Sequence, residues 1–264
     1  MNSPAHLFGV WEQIERRIRR SRRLAFFTDF DGTLVRIQRN PRNVRLSQRF
    51  RALLTSLKDA GITVGIASGR AIDDVRARAG VEEIWYVGAH GFFLRDPASR
   101  EFSLLSPQER SRMKHVIDDL AVELRGLVGV SLECKDASVA VHYRAASKRT
   151  RELAREKIAR LMKGDHLHLL AGKRVWELLP NARVNKWTGI QFALRRSARG
   201  RKAGRPLVIF VGDDVTDESV FERIDGIGVA VGRKRKTAAG FYLRSPAEVG
   251  RFLERLGDCA RSRR

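Results

Sequence analysis

The sequence predicts an α/β fold in which a parallel sheet, covered on both faces, is interrupted by a smaller α+β block. Three observations carry this reading. Short apolar runs alternate with helical patterns over residues 24–88, as in a parallel sheet buried on both sides. Near residue 92 the alternation gives way to hairpin patterns and longer helices. After Pro180 it resumes and continues to about residue 256.

The elements follow in order. A helical pattern covers residues 8–20. LAFFT (24–28) is an apolar run that ends in DFDGTL, a buried strand delivering two carboxylates onto a loop. Residues 47–60 place Phe50, Leu53, Leu54 and Leu57 at helical spacing, with Ser47 as N-cap and Gly61 as the stop. ITVGIA is a second buried strand ending at Ser68-Gly69-Arg70, and a helix from Ala71 to about Ala79 leads to IWYVG, a third. Residues 92–95 and 101–105 pattern as a hairpin, and Pro107–Arg125 as a helix. VSLEC and VAVHYR alternate as strands, residues 147–163 form a basic amphipathic helix, and HLHLLAG with KRVWELLP pattern as another hairpin. A helix over Asn185–Leu194, the strands PLVIFVGDD and IGVAVG, and a closing helix Pro246–Leu256 complete the chain. The expected division is a core of residues 1–105 and 179–264 with an inserted cap at 106–178.

Composition bounds the function. Of 264 residues, 43% are hydrophobic, which excludes a disordered tail and permits one or two domains with a sizeable core. No apolar run is long enough to span a bilayer, and the start lacks the pattern of a secretory signal. Cys134 and Cys259 have no metal-ligand spacing and read as reduced thiols of a cytoplasmic protein, a single disulfide being the alternative. The 52 Lys and Arg against 30 Asp and Glu give a formal charge of +22. Such a charge fits nucleic-acid binding through counterion release, or a solvated basic surface that attracts an anionic small substrate. The basic peaks at 195–205 and 233–236 carry no RNA-binding aromatic signature or zinc-finger spacing, so nucleic acid is not the expected partner.

Four constellations carry chemistry. Asp29 and Asp31 follow a strand, where parallel sheets place ligands, and a buried acid there needs a cation or a reaction centre. One such Asp can attack phosphorus while the other moves protons; the alternative is a solvated Asp-Gly turn. Asp213, Asp214, Asp217 and Glu218 crowd together after VIFV and repel unless a hard divalent cation such as Mg²⁺ sits among them. Acid enrichment at a helix start explains Asp217 and Glu218 better than Asp213 and Asp214. Ser68 with the following backbone N–H groups can hold phosphate oxygens, or is an ordinary N-cap. Lys186, after Asn185 at a helix start, can neutralise phosphate and nucleophile together, or is one surface lysine among many.

Together and in this order, the four pieces resemble the haloacid-dehalogenase-like phosphohydrolases, whose Rossmann-like core carries an inserted cap. Within that superfamily, GAHG (88–91), ECKDASVAVHYR (133–144), GKRVWELLP (172–180) and GDDVTDE (212–218) resemble the trehalose-6-phosphate phosphatases. The resemblance implies an Mg²⁺-dependent hydrolysis of a sugar phosphate through an aspartyl-phosphate. It makes Asp29 the nucleophile, Asp31 the general acid/base, and Ser68 and Lys186 the phosphate holders. Mg²⁺ would take the Asp29 and Asp213 side chains and the Asp31 backbone carbonyl, with Asp214 and Asp217 as further ligands or supports beside Thr33. Gly69 and Arg70 would join Ser68 in binding substrate. The sugar would meet His90, Gly91, Glu133, Lys135, His142, Arg144 and Glu177. The residue readings beside it are an exposed Glu133/Lys135 strand pair, solvated His142 and Arg144, and a Glu177–Arg174 pair. Phe93, Leu179 and Trp187 stand where the family has an acid, a basic residue and a Gly. Other readings are a phosphatase of sucrose-phosphate or mannosyl-phosphoglycerate, a polyanion-binding protein, and a catalytically silent sensor on the same fold.

Overall fold

The computed structural model describes residues 3–38, 44–135, 137–163, 167–172, 174–180, 183–198, 204–232 and 236–262. Its contacts divide the chain into two compact units, Met1–Phe102 with Asn185–Arg264, and Ser103–Val184. Parts of both basic peaks, residues 199–203 and 233–235, lie outside the described residues.

Among the described residues the first unit is built on nine strands: β1 (Ala5–His6), β2 (Leu24–Thr28), β3 (Thr63–Ala67), β4 (Trp85–Gly88), β5 (Phe93–Arg95), β6 (Glu101–Ser103), β11 (Leu207–Gly212), β12 (Gly226–Val231) and β13 (Phe241–Leu243). Their order is β1-β13-β12-β11-β2-β3-β4-β5-β6, parallel from β1 to β4, with β5 antiparallel to β4. Every residue of β2 is buried, and alternate residues serve opposite faces. Leu24 and Phe26 join a core with Ile14 and Ile18 of α1 (Trp11–Arg20), Leu54 and Leu57 of α2 (Gln48–Asp59), Val75 of α3 (Ile72–Ala79) and Phe252 of α8 (Pro246–Arg261). On the other face α6 (Lys186–Ser197) packs against β3 and β4. There the Phe210 ring meets Phe221 of α7 (Glu218–Phe221), 5.5 Å between centroids. A sheet covered on both sides is what the unbroken apolar runs demand.

The chain start docks on this core: Leu7, Ile14 and Ile18 are fully buried. Ser47 accepts from the Phe50 N–H and caps α2 as its position predicts. The helices α6 and α8 run past the expected ends at 194 and 256, and in α8 the added turn buries Cys259 and Ala260.

The second unit holds α4 (Pro107–Glu123), α5 (Lys148–Leu161) and an antiparallel sheet of β7 (Ser131–Cys134), β8 (Val139–His142), β9 (His168–Gly172) and β10 (Val175–Leu179), ordered β7-β8-β10-β9. Val139, Val141, Trp176 and Leu178 face Met113, Val116, Leu120, Ala154 and Ile158 of the helices. By the two-residue period of a strand, Glu133, Lys135, Ser138, His142 and Glu177 belong to the opposite face. Among the described residues no helix is long and apolar enough to cross a membrane. Both cysteines are free thiols.

Candidate active site

Sheet order creates the site. The strands β2 and β11 are neighbours in parallel register, Thr28 opposite Val211, and the Asp29 N–H donates to the Val211 carbonyl at 2.8 Å. The loops after both strands therefore leave the sheet side by side, and residues 184 positions apart in sequence meet at one strand end. Carboxylate oxygens of Asp29, Asp213 and Asp217 all lie within 4.8 Å of one another.

The loop after β2 turns back at once: the Gly32 N–H donates to the Val35 carbonyl at 2.8 Å. Gly32 takes φ +88°, and a Cβ there would lie 2.1 Å from an Asp213 oxygen, so only glycine lets the two loops close together. Thr33 Oγ1 donates to Asp213 Oδ1 at 3.0 Å.

Lys186 enters from the start of α6. Asn185 caps that helix reciprocally with Thr188, which fixes the first turn and the point where Lys186 leaves it. The Lys186 ammonium is buried and donates to Asp29 Oδ1 and Asp217 Oδ1, both at 2.7 Å. Burial acts to lower its pKa, but Asp217 and Asp29 outweigh burial and hold it protonated. Burial pushes the Asp29 carboxyl well above the usual carboxylate range, against the pull of Lys186 and with Asp217 and Asp213 adding to the push. Asp213 is pushed up to about 6 by burial and by Asp217, against the Thr33 hydrogen bond. Three acids and one ammonium leave two negative charges when all ionise, the charge one divalent cation neutralises. The donors are all carboxylate oxygens, which suits a hard cation.

Asp217, expected to support the metal ligands, is itself one of the three grouped acids, while the Asp214 carboxylate is exposed and outside that group. The physical cause is the turn Val215–Asp217, opened by Asp214, whose N–H donates to Asp217 Oδ2 at 2.8 Å. That bond folds Asp217 back over Gly212.

Asp31 stands apart from the three grouped acids. Its carboxylate accepts from Arg70 Nε and, at 2.8 Å, from Nη2. Arg70 also donates to Asp74 Oδ2 at 2.8 Å, and Arg78 holds the other Asp74 oxygen at 2.7 Å. Asp31 and then Asp74 raise the Arg70 guanidinium further, burial notwithstanding. Asp74 escapes the motif reading, but Arg70, Asp74 and Arg78 at i, i+4 and i+8 are a visible signal of a helical ion ladder.

Ser68 is buried at the end of β3, and its Oγ accepts from the Arg70 N–H at 3.2 Å. The His90 N–H donates to the Ser68 carbonyl, and the Ala89 N–H to that of Arg70, tying the GAHG turn to this loop with the His90 ring over Gly69. Ala89 and His90 both take left-handed backbone, φ +46° and +57°, an unfavourable pair for non-glycine residues that sits at the site. Gly91, φ +113°, lies so close to the Asn185 carbonyl that a Cβ would come within 2.2 Å. Thus Ser68, Gly69, Arg70, His90, Gly91 and Lys186 converge within the first unit.

The remaining expected residues form a cluster of their own in the second unit. Glu177 accepts from Lys135 Nζ at 2.8 Å and Ser138 Oγ at 2.7 Å, in place of a pair with Arg174. Glu133 pairs with His142 at 2.8 Å, and Arg144 is exposed. Glu133 and Glu177 flank Ala140 from the two neighbouring strands.

A family model described as trehalose-phosphatase matches residues 27–244. The chain belongs to the trehalose-phosphatase family. It is 35% identical over 245 residues to the trehalose-phosphate phosphatase of Mycobacterium avium, covering 89% of this chain and 62% of that relative. The chain therefore spans a little over three fifths of the length of that curated relative. The C-terminal domain of the Candida albicans trehalose-6-phosphate phosphatase superposes with a TM-score of 0.81 at 23% identity, over 97% of this chain and 99% of that one. A haloacid dehalogenase-like hydrolase from Bacteroides thetaiotaomicron superposes with a TM-score of 0.66 at 16% identity, over 89% and 100%. The fold is thus the haloacid-dehalogenase-like α/β core with its inserted α+β cap.

Proposed function

We propose that this member of the trehalose-phosphatase family hydrolyses trehalose 6-phosphate to trehalose and phosphate, with Mg²⁺, through an aspartyl-phosphate on Asp29. The observation that carries the reading is the grouping of Asp29, Asp213 and Asp217, with the buried Lys186 ammonium bridging Asp29 and Asp217, at the adjoining ends of β2 and β11. Asp29, Asp213 and Asp217 would hold the cation, which when bound supplies charge neutralisation at the phosphate. Ser68 and Lys186 hold phosphate oxygens. The Asp29 carboxylate attacks phosphorus in line, the P–O bond to the sugar breaks, and Asp31 gives its proton to the departing oxygen. Asp31 then takes a proton from water, which attacks phosphorus and returns Asp29 as a carboxylate. Arg70 holds Asp31 in place between these steps. Two free thiols accord with a reducing, cytoplasmic setting.

The deciding experiment is phosphate release from a panel of sugar phosphates with Mg²⁺. Trehalose 6-phosphate should exceed sucrose-phosphate and mannosyl-phosphoglycerate in kcat/KM, and a flat or inverted ranking ends the substrate assignment. We assign sugar recognition to the polar cluster of Glu133, Lys135, His142, Arg144 and Glu177. Glu133 is exposed, so its loss leaves the fold intact. Glu133→Ala should raise KM for trehalose 6-phosphate about tenfold or more and leave KM for an aryl phosphate within about twofold. Equal effects on the two substrates remove the assignment.

Metal binding should compete with protons. Asp213 has its folded pKa raised to about 6 from an ordinary 3.8. An acid raised in this way favours the metal-free fold fully only below its unfolded pKa, and that contribution is lost as pH rises through about 6. A cation requires the ionised form, so Mg²⁺ should raise Tm more at about pH 7.5 than at about pH 5. Thermal unfolding with and without Mg²⁺ across this range reads the difference, and an equal shift at both ends contradicts it.

A further inference from the structure

A second basic site lies in the first unit, away from the catalytic acids. A cleft of about 260 Å³ is lined by His6, Phe8, Arg244, Glu248, Arg251 and Arg255. It sits where β1 and β13 end and α8 begins, on the same rim of the sheet as Asp29. From β13 to β2 is three strand steps, about 14 Å at the usual spacing, so the two sites are distinct.

The walls of this cleft are organised. Glu248 is buried and accepts from His6 Nε2 at 2.9 Å, from the Arg244 N–H at 2.8 Å and from Arg251 Nη2 at 3.0 Å. Its carboxylate is thereby satisfied and holds His6 and Arg251 at the cleft. Arg251 and Arg255 both stack on the Phe8 ring, at 5.4 and 5.0 Å, and Arg255 also lies 5.1 Å from the Trp11 ring. One turn apart on α8, two guanidiniums that share a ring repel each other. Among the described residues no carboxylate lies within ion-pair distance of Arg244 or Arg255. Three exposed arginines thus line one cleft with one acid among them, and two of them stack on the Phe8 ring. Arginines with unused forked donors match phosphate oxygens.

We propose that this cleft binds a phosphate-bearing small anion, independently of the phosphoryl chemistry at Asp29 and of which sugar phosphate is hydrolysed. Isothermal titration of the full chain with inorganic phosphate, at near-physiological ionic strength to suppress diffuse attraction, should find a binding component that Arg255→Gln and Arg244→Gln each weaken about tenfold or more. Turnover should stay within about twofold in both variants, which separates a failure here from a failure of the catalytic reading. Among the described residues Arg244 stacks on no ring, so its variant covers the chance that Arg255→Gln disturbs packing. The same titration with trehalose 6-phosphate, in an Asp29→Asn background that prevents turnover, tells the sources apart. An arginine-sensitive component for inorganic phosphate assigns free phosphate, and one for the sugar ester alone assigns a phosphate monoester. Two outcomes overturn the proposal: equal binding by wild type and both variants for both ligands, or arginine-sensitive binding of a single-stranded DNA oligomer only.

Discussion

Asp29→Asn should reduce phosphate release by about 10⁴-fold or more, the scale on which loss of a nucleophile is felt. The amide keeps the shape of the carboxylate and still accepts from Lys186, but it cannot form the acyl phosphate. The fold should survive. Asp29 is the acid that burial disfavours most clearly, and Asn leaves Asp217 paired with the ammonium while removing one charge from a crowded group. The metal-free variant should therefore melt no earlier than the wild type, while its Mg²⁺-induced rise in Tm shrinks because one carboxylate ligand is gone. Acid-quenched samples should show phosphate trapped on the wild-type protein and none on the variant. Turnover above a few per cent of wild type, or trapped phosphate on the variant, would remove Asp29 from the nucleophile's role.

The separation of what the sequence reveals from what it hides follows physical lines. DFDGTL and GDDVTDE stand out because each follows an apolar run, and strand ends expose what comes next. Their meeting is not written in either segment, since it depends on β11 lying beside β2 across an insertion. Which acid of GDDVTDE faces inward was equally hidden: the choice of Asp217 over Asp214 is made by one hydrogen bond in a tight turn. Strands β1 and β13 are two and three residues long, too short to show a period, yet they complete the sheet edge and build the arginine cleft. The polar sheet face of the second unit was legible, because Glu133, Lys135, His142 and Arg144 keep strand parity. The departures have a packing reason. Phe93 packs against the main core and Leu179 is buried, so both positions serve apolar contacts here. Arg70 follows Ser-Gly, where the resemblance implies a substrate contact, and the pairing of its guanidinium with Asp31 and Asp74 is not announced by that motif.

Lys186→Met should damage stability and chemistry together, and the two effects can be read apart. In the wild type one ammonium bridges Asp29 and Asp217, both buried. Methionine fills much of the space but leaves those carboxylates facing each other and Asp213 without a cation. Breaking a buried pair by removing one partner destabilises by about 3–5 kcal/mol. Protonation offers relief, so the loss should depend on pH. Acids whose folded pKa is raised favour the fold below their unfolded values and disfavour it as they ionise, so the variant should lose more stability at about pH 8 than at about pH 5. The same logic sets the response to metal. The variant group carries one more negative charge than the wild type, so Mg²⁺ should recover a larger increment of Tm in the variant. Activity should not return with it. The recovered fold still lacks the ammonium proposed to meet the phosphate, and kcat should remain about 10²–10³-fold down, as when a preorganised donor is removed. Denaturation at the two pH values, repeated with Mg²⁺, and kcat under saturating metal test each part. A pH-independent loss would mean that the acids around residue 186 are not electrostatically coupled to it, and full activity at saturating Mg²⁺ would make the lysine a structural counter-ion alone.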